Sequence, residues 1–118
     1  MKGIRGAITV GKNSRQQIID SAQILLKEIF QANNVSQKEI VSIIFTCTVD
    51  LDRAYPAVGA RQMGLDYIPL MCYQEMKVQE SLARCLRIMV YIERDCSHRD
   101  IEHVYLRKAK KLRPDLVE

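Results

Sequence analysis

The chain has 118 residues, which predicts a single domain with a modest core. Hydrophobic residues make up 47% and charged ones 27%, a balance ordinary for a soluble globular protein. The net charge is +4; no apolar run is long enough to cross a bilayer and Met1-Lys2-Gly3 opens no signal-like segment, so a cytoplasmic protein with no membrane partner is expected.

Gly3 to Val10 alternates in polarity. Ile4, Gly6, Ile8 and Val10 fall on one side, and Gly3, Arg5, Ala7 and Thr9 on the other, which predicts a strand with one apolar face. Arg5 stands among small neighbours that leave room for an approaching group. Taken from this segment alone, it reads as the charge of an edge strand, placed to deter aggregation. Gly11-Lys12-Asn13-Ser14 predicts a turn ending in an N-cap serine. Ile18, Ala22, Leu25, Leu26 and Ile29 then recur at helical steps, with Arg15, Gln16, Asp20, Gln23 and Lys27 on the other face. This amphipathic helix reaches about Gln31, stops near Asn33-Asn34 and carries nothing catalytic.

Ser36-Gln37-Lys38-Glu39 fits a capping box and predicts one helical turn. Ile40 to Cys47 reads as a buried central strand. It ends in Thr48-Val49-Asp50-Leu51-Asp52, where the carboxylates suit turn chemistry. Tyr55-Pro56-Ala57 starts a second, shorter helix that runs through Arg61 to about Met63 and is ended by Gly64. Tyr67 to Cys72 is extended and leads into Cys72-Tyr73-Gln74-Glu75-Met76. Leu82 to Arg94 is ambiguous by period. Leu82, Cys85, Leu86 and Met89 fit a helix, whereas Leu86, Ile88, Val90 and Ile92 alternate. The β-branched content decides for a strand from about Cys85, with Arg87 on the face shared by Cys85, Met89 and Tyr91. Asp95 to Arg99 is a polar turn, and Ile101 to Leu106 a last strand with His103 and Tyr105 opposite Val104 and Leu106. Pro114 argues against a helix in Leu112-Arg113-Pro114-Asp115-Leu116.

Three predicted strands therefore each set a polar group opposite an apolar face: Arg5, Arg87 and Tyr105. Glu75 follows a strand end. Arg87 lies in an apolar run, where a charge needs a partner or a ligand that supplies one. Two guanidinium groups and a phenol suit a carboxylate, and Glu75 suits a hydroxyl. Cys72 has no histidine partner in sequence, so it reads as a weak donor or a filler rather than a nucleophile. Cys47, Cys72, Cys85 and Cys96 form no CxxC pair, and neither His98 nor His103 has ligand spacing with a cysteine pair. Reduced thiols and no metal are expected. Arg107, Lys108, Lys110, Lys111 and Arg113 read first as a solvated face. A gate for a small anion ranks ahead of a nucleic-acid patch, because no glycine-rich or aromatic-studded motif accompanies them. These residues by themselves describe a binder of a small hydroxylated anion that works by shape and charge.

Six blocks in this order carry a resemblance: Gly3-Ile4-Arg5-Gly6-Ala7, Asp50-Leu51 through Tyr55-Pro56-Ala57, Cys72 to Met76, Cys85-Leu86-Arg87, His103-Val104-Tyr105-Leu106, and Leu112 to Leu116. Together the chain resembles the monofunctional chorismate mutases of the non-helical, trimeric type. Any one block is weak; six in register over nearly the whole chain are specific. The resemblance implies an α+β fold, a mixed five-stranded sheet with helices on one side. It implies a homotrimeric pseudo-barrel with active sites in clefts between neighbours. It implies the Claisen rearrangement of chorismate to prephenate, on the route to phenylalanine and tyrosine, with no cofactor.

By position, the resemblance implies that Arg5 and Tyr105 bind the enolpyruvyl carboxylate. Arg87 would reach the ether oxygen as well as that carboxylate. Glu75 and Cys72, at the ends of the stretch containing Tyr73 and Gln74, would hold the ring hydroxyl. A neighbouring chain would supply Tyr55, Ala57 and Arg61 to the wall, and the tail around Leu112 and Arg113 would close over the substrate. Val58 stands where the family often has lysine, and Tyr55 where it usually has phenylalanine. Two other readings compete: a trimeric imine or enamine deaminase of similar shape, acting through an arginine-bound carboxylate and a water, and a basic nucleic-acid module built on Arg107 to Arg113.

Overall fold

The alternation that opens the chain builds β1, Lys2–Thr9. The computed structural model describes residues 1–116. After β1 come α1 (Arg15–Ala32), β2 (Ile40–Cys47), α2 (Ala57–Gln62), β3 (Leu70–Gln74), β4 (Cys85–Ile92) and β5 (Val104–Leu106), joined by loops and short 3-10 turns. The strands form one five-stranded mixed sheet in the order β3-β2-β4-β1-β5. β4 runs antiparallel to β1 and β2, while β3 is parallel to β2 and β5 parallel to β1. This is the α+β architecture expected from the resemblance.

The side chains that alternate inward from the sheet are Ile4 and Ile8 on β1, Ile43 and Phe45 on β2, Leu86, Ile88, Val90 and Ile92 on β4, and Val104 on β5, all buried. They meet the stripe Ile18, Ala22, Leu25, Leu26 and Ile29 of α1, whose N-terminus is capped by Ser14 Oγ accepting from the Gln17 N–H. α2 lies beside α1, where Gln23 Nε2 donates to the Gly59 carbonyl at 3.2 Å. Pro56 precedes its first turn, and Gly64, at φ +87°, ends it. Arg94 ties the far end of α1 to the rest by donating to the carbonyls of Asn33 (2.9 Å) and Asn34 (3.2 Å) and to the Glu39 carboxylate.

Gly6 lets α1 lie close to the sheet. A Cβ there would stand 2.6 Å from Ile29 Cδ1 and 3.0 Å from Leu25 Cδ1. Gly6→Val is expected to overpack this contact and cost about 1–3 kcal/mol, read from urea unfolding midpoints. Gly6→Ala is expected to cost less, because the displaced atoms are chain ends.

The structure corrects three expectations. β1 is interior, bonded to β4 on one side and β5 on the other, so Arg5 is not an edge charge. The face of β1 opposite the core is small and polar in either position, so its pattern carries no information on neighbours. β5 is three residues long rather than six, because the backbone of Glu102 is engaged by Asn33. The basic run is not simply a solvated face. Arg107–Lys111 forms a 3-10 turn around buried Ala109, and the Arg107 side chain donates to the Thr9 carbonyl at 3.0 Å and to Ser21 Oγ at 3.2 Å. Pro114 does keep an α-helix from forming, yet it takes the first place in a single 3-10 turn, Pro114–Leu116.

Both helices pack on one face of the sheet. Among the described residues the other face carries no α-helix. The turn Arg107–Lys111 covers one end of it, where Ala7, Cys85, Tyr105 and Ala109 form a small buried cluster with Leu82 and Leu112 against it. Met71 and Tyr73, on the same open face, are 56% and 49% exposed. Among the described residues no helix is long and apolar enough to cross a membrane.

Candidate active site

Strand register assembles a row of side chains across the open face. Tyr73 on β3 pairs with Thr46 on β2, Thr46 with Arg87 on β4, Arg87 with Ala7 on β1, and Ala7 with Tyr105 on β5. Ala7 is the small spacer between the guanidinium and the phenol. Arg5 precedes Ala7 by two residues and so projects from the same face. Glu75 reaches this face from beyond β3. Its N–H donates to the Cys47 carbonyl at 2.8 Å, and its carboxylate accepts from Thr46 Oγ1 at 2.7 Å. The same carboxylate lies 3.3 Å from Arg87 Nε. Arg5, Ala7, Thr46, Glu75, Arg87 and Tyr105 then line one cavity of about 210 Å³.

Charge in this cavity is unbalanced. Among its lining residues two guanidinium groups face one carboxylate, while Asp115 of the tail lies near Arg5 from outside the lining. Arg5 Nε is buried and has no hydrogen-bond partner among the described residues. Buried donors are nearly always satisfied, so an orphan here marks the seat of an acceptor brought in by a ligand. The Arg87 side chain is 47% exposed and that of Glu75 22%, so the pair is open to exchange with an incoming group. Thr46 was not singled out from the sequence. Its signal is there in hindsight, since it alternates with buried Phe45 and shares the face of Arg87.

The remaining expected residues lie in two further places. Tyr55, Cys72, Tyr73 and Gln74 line a separate cavity of about 470 Å³ with Cys47 and Asp52. Cys72 pairs in register with core residue Phe45, meets the Ala57 backbone N–H, and has Arg61 nearby. Cys72 and Glu75 therefore do not converge on one group within a single chain. β-strand alternation sends Cys72 toward the helices, while Glu75, past the strand end, turns to the open face. Burial pushes the Cys72 thiol above its ordinary value, and burial first, with Cys72 second, pushes Cys47 up to about 12. Such thiols are poor nucleophiles at neutral pH. Leu112 shares a third cavity, about 540 Å³, with Glu75 and Arg87, so the tail reaches the arginine side of the site. Arg113 donates from Nε and Nη2 to Asp115 at 3.1 and 2.9 Å. Asp50 and Asp52 lie in the loop after β2, but their carboxylates tie it to distant segments, accepting from the Arg84 N–H at 2.9 Å and from Asn13 Nδ2 at 2.8 Å.

The family model for chorismate mutase type I matches residues 1–116. The chain belongs to the type I chorismate mutase family. Chorismate mutase AroH of Bacillus subtilis (strain 168) is 37% identical over 117 residues, covering 98% of this chain and 92% of that protein. Chorismate mutase AroH of Thermus thermophilus is 41% identical over 117 residues, covering 98% and 96%. The solved structure of a chorismate mutase from Clostridium thermocellum superposes with a TM-score of 0.92 at 45% identity, over 94% of this chain and 99% of that one. The protein is thus a chorismate mutase by function and an isomerase by class. Neither the deaminase nor the nucleic-acid reading has support in these likenesses.

Proposed function

We propose that three copies of this chorismate mutase assemble through the open face of the sheet. Chorismate then rearranges to prephenate in clefts where Arg5, Glu75, Arg87 and Tyr105 of one copy face Tyr55, Ala57, Arg61 and Cys72 of the next. The observation that carries the site is the buried Arg5 Nε, without a partner among the described residues, in a cavity that Arg87 and Tyr105 also line. The division of the expected residues between separate cavities supports a cleft shared by two copies. The uncovered sheet face supplies a surface for assembly.

The rearrangement is pericyclic and unimolecular, so it needs no base and no nucleophile. Arg5 and Tyr105 take the enolpyruvyl carboxylate and Glu75, steadied by Thr46, takes the ring hydroxyl. Together they hold the ring and its side chain in the compact form from which the bonds exchange. Arg87 stands where negative charge grows on the ether oxygen as the C–O bond lengthens, and it needs no reorganisation to act there. Charge stabilisation stronger by about 3 kcal/mol in the transition state than in the ground state gives roughly a hundredfold in rate. Val58 offers no charge to the ring carboxylate, which leaves Arg61 to meet it. Leu112 and Arg113 close the mouth.

Chorismate absorbance followed with purified protein, alongside sedimentation equilibrium, tests this reading. Loss of chorismate with formation of prephenate, at a mass of three chains, is the expected result. A stable monomer that turns over chorismate at full rate would remove the shared cleft. Cys72→Ser is expected to hold kcat within about threefold, since a buried thiol serves only as a weak donor. A dead Cys72→Ser enzyme would point to covalent chemistry.

A further inference from the structure

β5 pairs with β1 only from Gly6 opposite Val104 onward. In a parallel ladder, each N–H that points to the partner strand bonds the carbonyl preceding its opposite residue. For Arg5 that carbonyl is Glu102's. Glu102 is turned away instead: its N–H donates to Asn33 Oδ1 at 2.8 Å, and its carbonyl accepts from Asn33 Nδ2 at 2.9 Å. The Arg5 N–H donates to His103 Nδ1, at 2.9 Å. A side chain thus occupies the place of a ladder carbonyl, at the residue whose guanidinium enters the cavity. Arg5 Nε makes no hydrogen bond among the described residues, so the bond to the main chain is the polar tie the structure gives this residue there.

We propose that His103 is a positioning residue for Arg5, its neutral imidazole accepting the Arg5 N–H and thereby holding the guanidinium ready for the substrate carboxylate. This rests on the reading of Arg5 as a carboxylate ligand. With Nδ1 accepting, the single proton of the neutral ring sits on Nε2. The charged groups that face the ring are Arg5 from β1 and Arg113 from the tail, whose partner is Asp115. Half-burial first, then these two cations, hold His103 below its ordinary value of 6.5, so the accepting form prevails at neutral pH. Protonation sets a donor against the Arg5 N–H, adds a third cation, and releases Arg5.

Steady-state chorismate kinetics of the wild type, His103→Leu, His103→Asn and Arg5→Ala, from pH 5 to 8, test the proposal. His103→Leu is expected to raise KM about tenfold at neutral pH with kcat within about threefold, because the carboxylate contact is made alike in ground and transition states. His103→Asn, whose Oδ1 reaches the same place, is expected to keep KM within about twofold. In the wild type KM is expected to rise as pH falls below 6.5, and in His103→Asn to stay flat over the same range. An unchanged KM in His103→Leu, or the same acid rise in wild type and His103→Asn, overturns the proposal. So does a KM that falls in acid, the mark of a ring acting only as an added cation. Should His103→Leu fail to fold, the pH profiles of the other two enzymes decide. A raised KM in Arg5→Ala without any effect at His103 removes the positioning role alone, and an unchanged KM in Arg5→Ala removes the reading of Arg5 and this proposal together.

Discussion

Arg87→Ala is expected to lower kcat by roughly a hundred- to a thousandfold while leaving the protein folded. The side chain rises from β4 on the open face, away from the buried Leu86 and Ile88 that pack against α1, so its loss leaves no hole in the core. On the proposed reading, the catalytic loss arises because the guanidinium stands where the ether oxygen develops charge, beside Glu75 at 3.3 Å and between Thr46 and Ala7 in the strand register. A contact that strengthens toward the transition state appears in kcat, so KM is expected to change far less. Arg87→Lys keeps the charge, loses the planar fork, and is expected to fall between wild type and alanine. Steady-state chorismate kinetics with thermal unfolding as a control check this. A normal kcat in Arg87→Ala would remove the role.

Glu75→Ala is expected to lower kcat/KM by about a hundredfold, for two reasons that act together. On the proposed reading the ring hydroxyl loses its acceptor, and Arg87 loses the anion beside its Nε, which costs orientation at the reacting oxygen. Glu75→Gln separates the two. The amide oxygen still accepts from Thr46 Oγ1 and from a hydroxyl, so if hydrogen bonding dominates, the loss is expected to be about tenfold. A glutamine variant as impaired as the alanine one would mean that the carboxylate acts mainly as the counter-charge of Arg87. Kinetics of the two variants under one set of conditions decide between these.

Most of the framework is legible in local pattern. The three- and four-residue steps of Ile18, Ala22, Leu25 and Ile29 name α1 and its buried stripe, and Ser14 names its start. β4 was the hardest element, since Leu82, Cys85, Leu86 and Met89 also satisfy a helical period. The β-branched residues from Ile88 to Ile92 decide for the strand, and they place Arg87 on the face it occupies. What is not legible depends on partners distant in sequence. Whether β1 lies at an edge turns on β5, almost a hundred residues away. The shortening of β5 turns on Asn33, whose side chain is buried at the end of α1 and takes the Glu102 backbone. The 3-10 turn within the basic run turns on Thr9 and Ser21, which receive Arg107.

The candidate site divides in the same way. Alternation puts Arg5, Arg87 and Tyr105 on one face, and Glu75 joins them because a strand end is free to turn. Thr46 was missed because a threonine in a buried strand carries no charge to draw notice. The resemblance sets Cys72 beside Glu75 at the ring hydroxyl. Within one chain its parity in β3 puts it with Ala57 and Arg61, which divides the expected site between two groups.

A crystal structure with a bicyclic ether dicarboxylate bound, a mimic of the rearranging substrate, tests the central claim most directly. The account predicts the Arg87 guanidinium within hydrogen-bond distance of the bridging ether oxygen, Arg5 Nε satisfied by a ligand carboxylate, and Arg61 and Cys72 of a neighbouring copy on the opposite wall. An ether oxygen turned to solvent, with Arg87 still bound only to Glu75 and one chain alone enclosing the ligand, would contradict it.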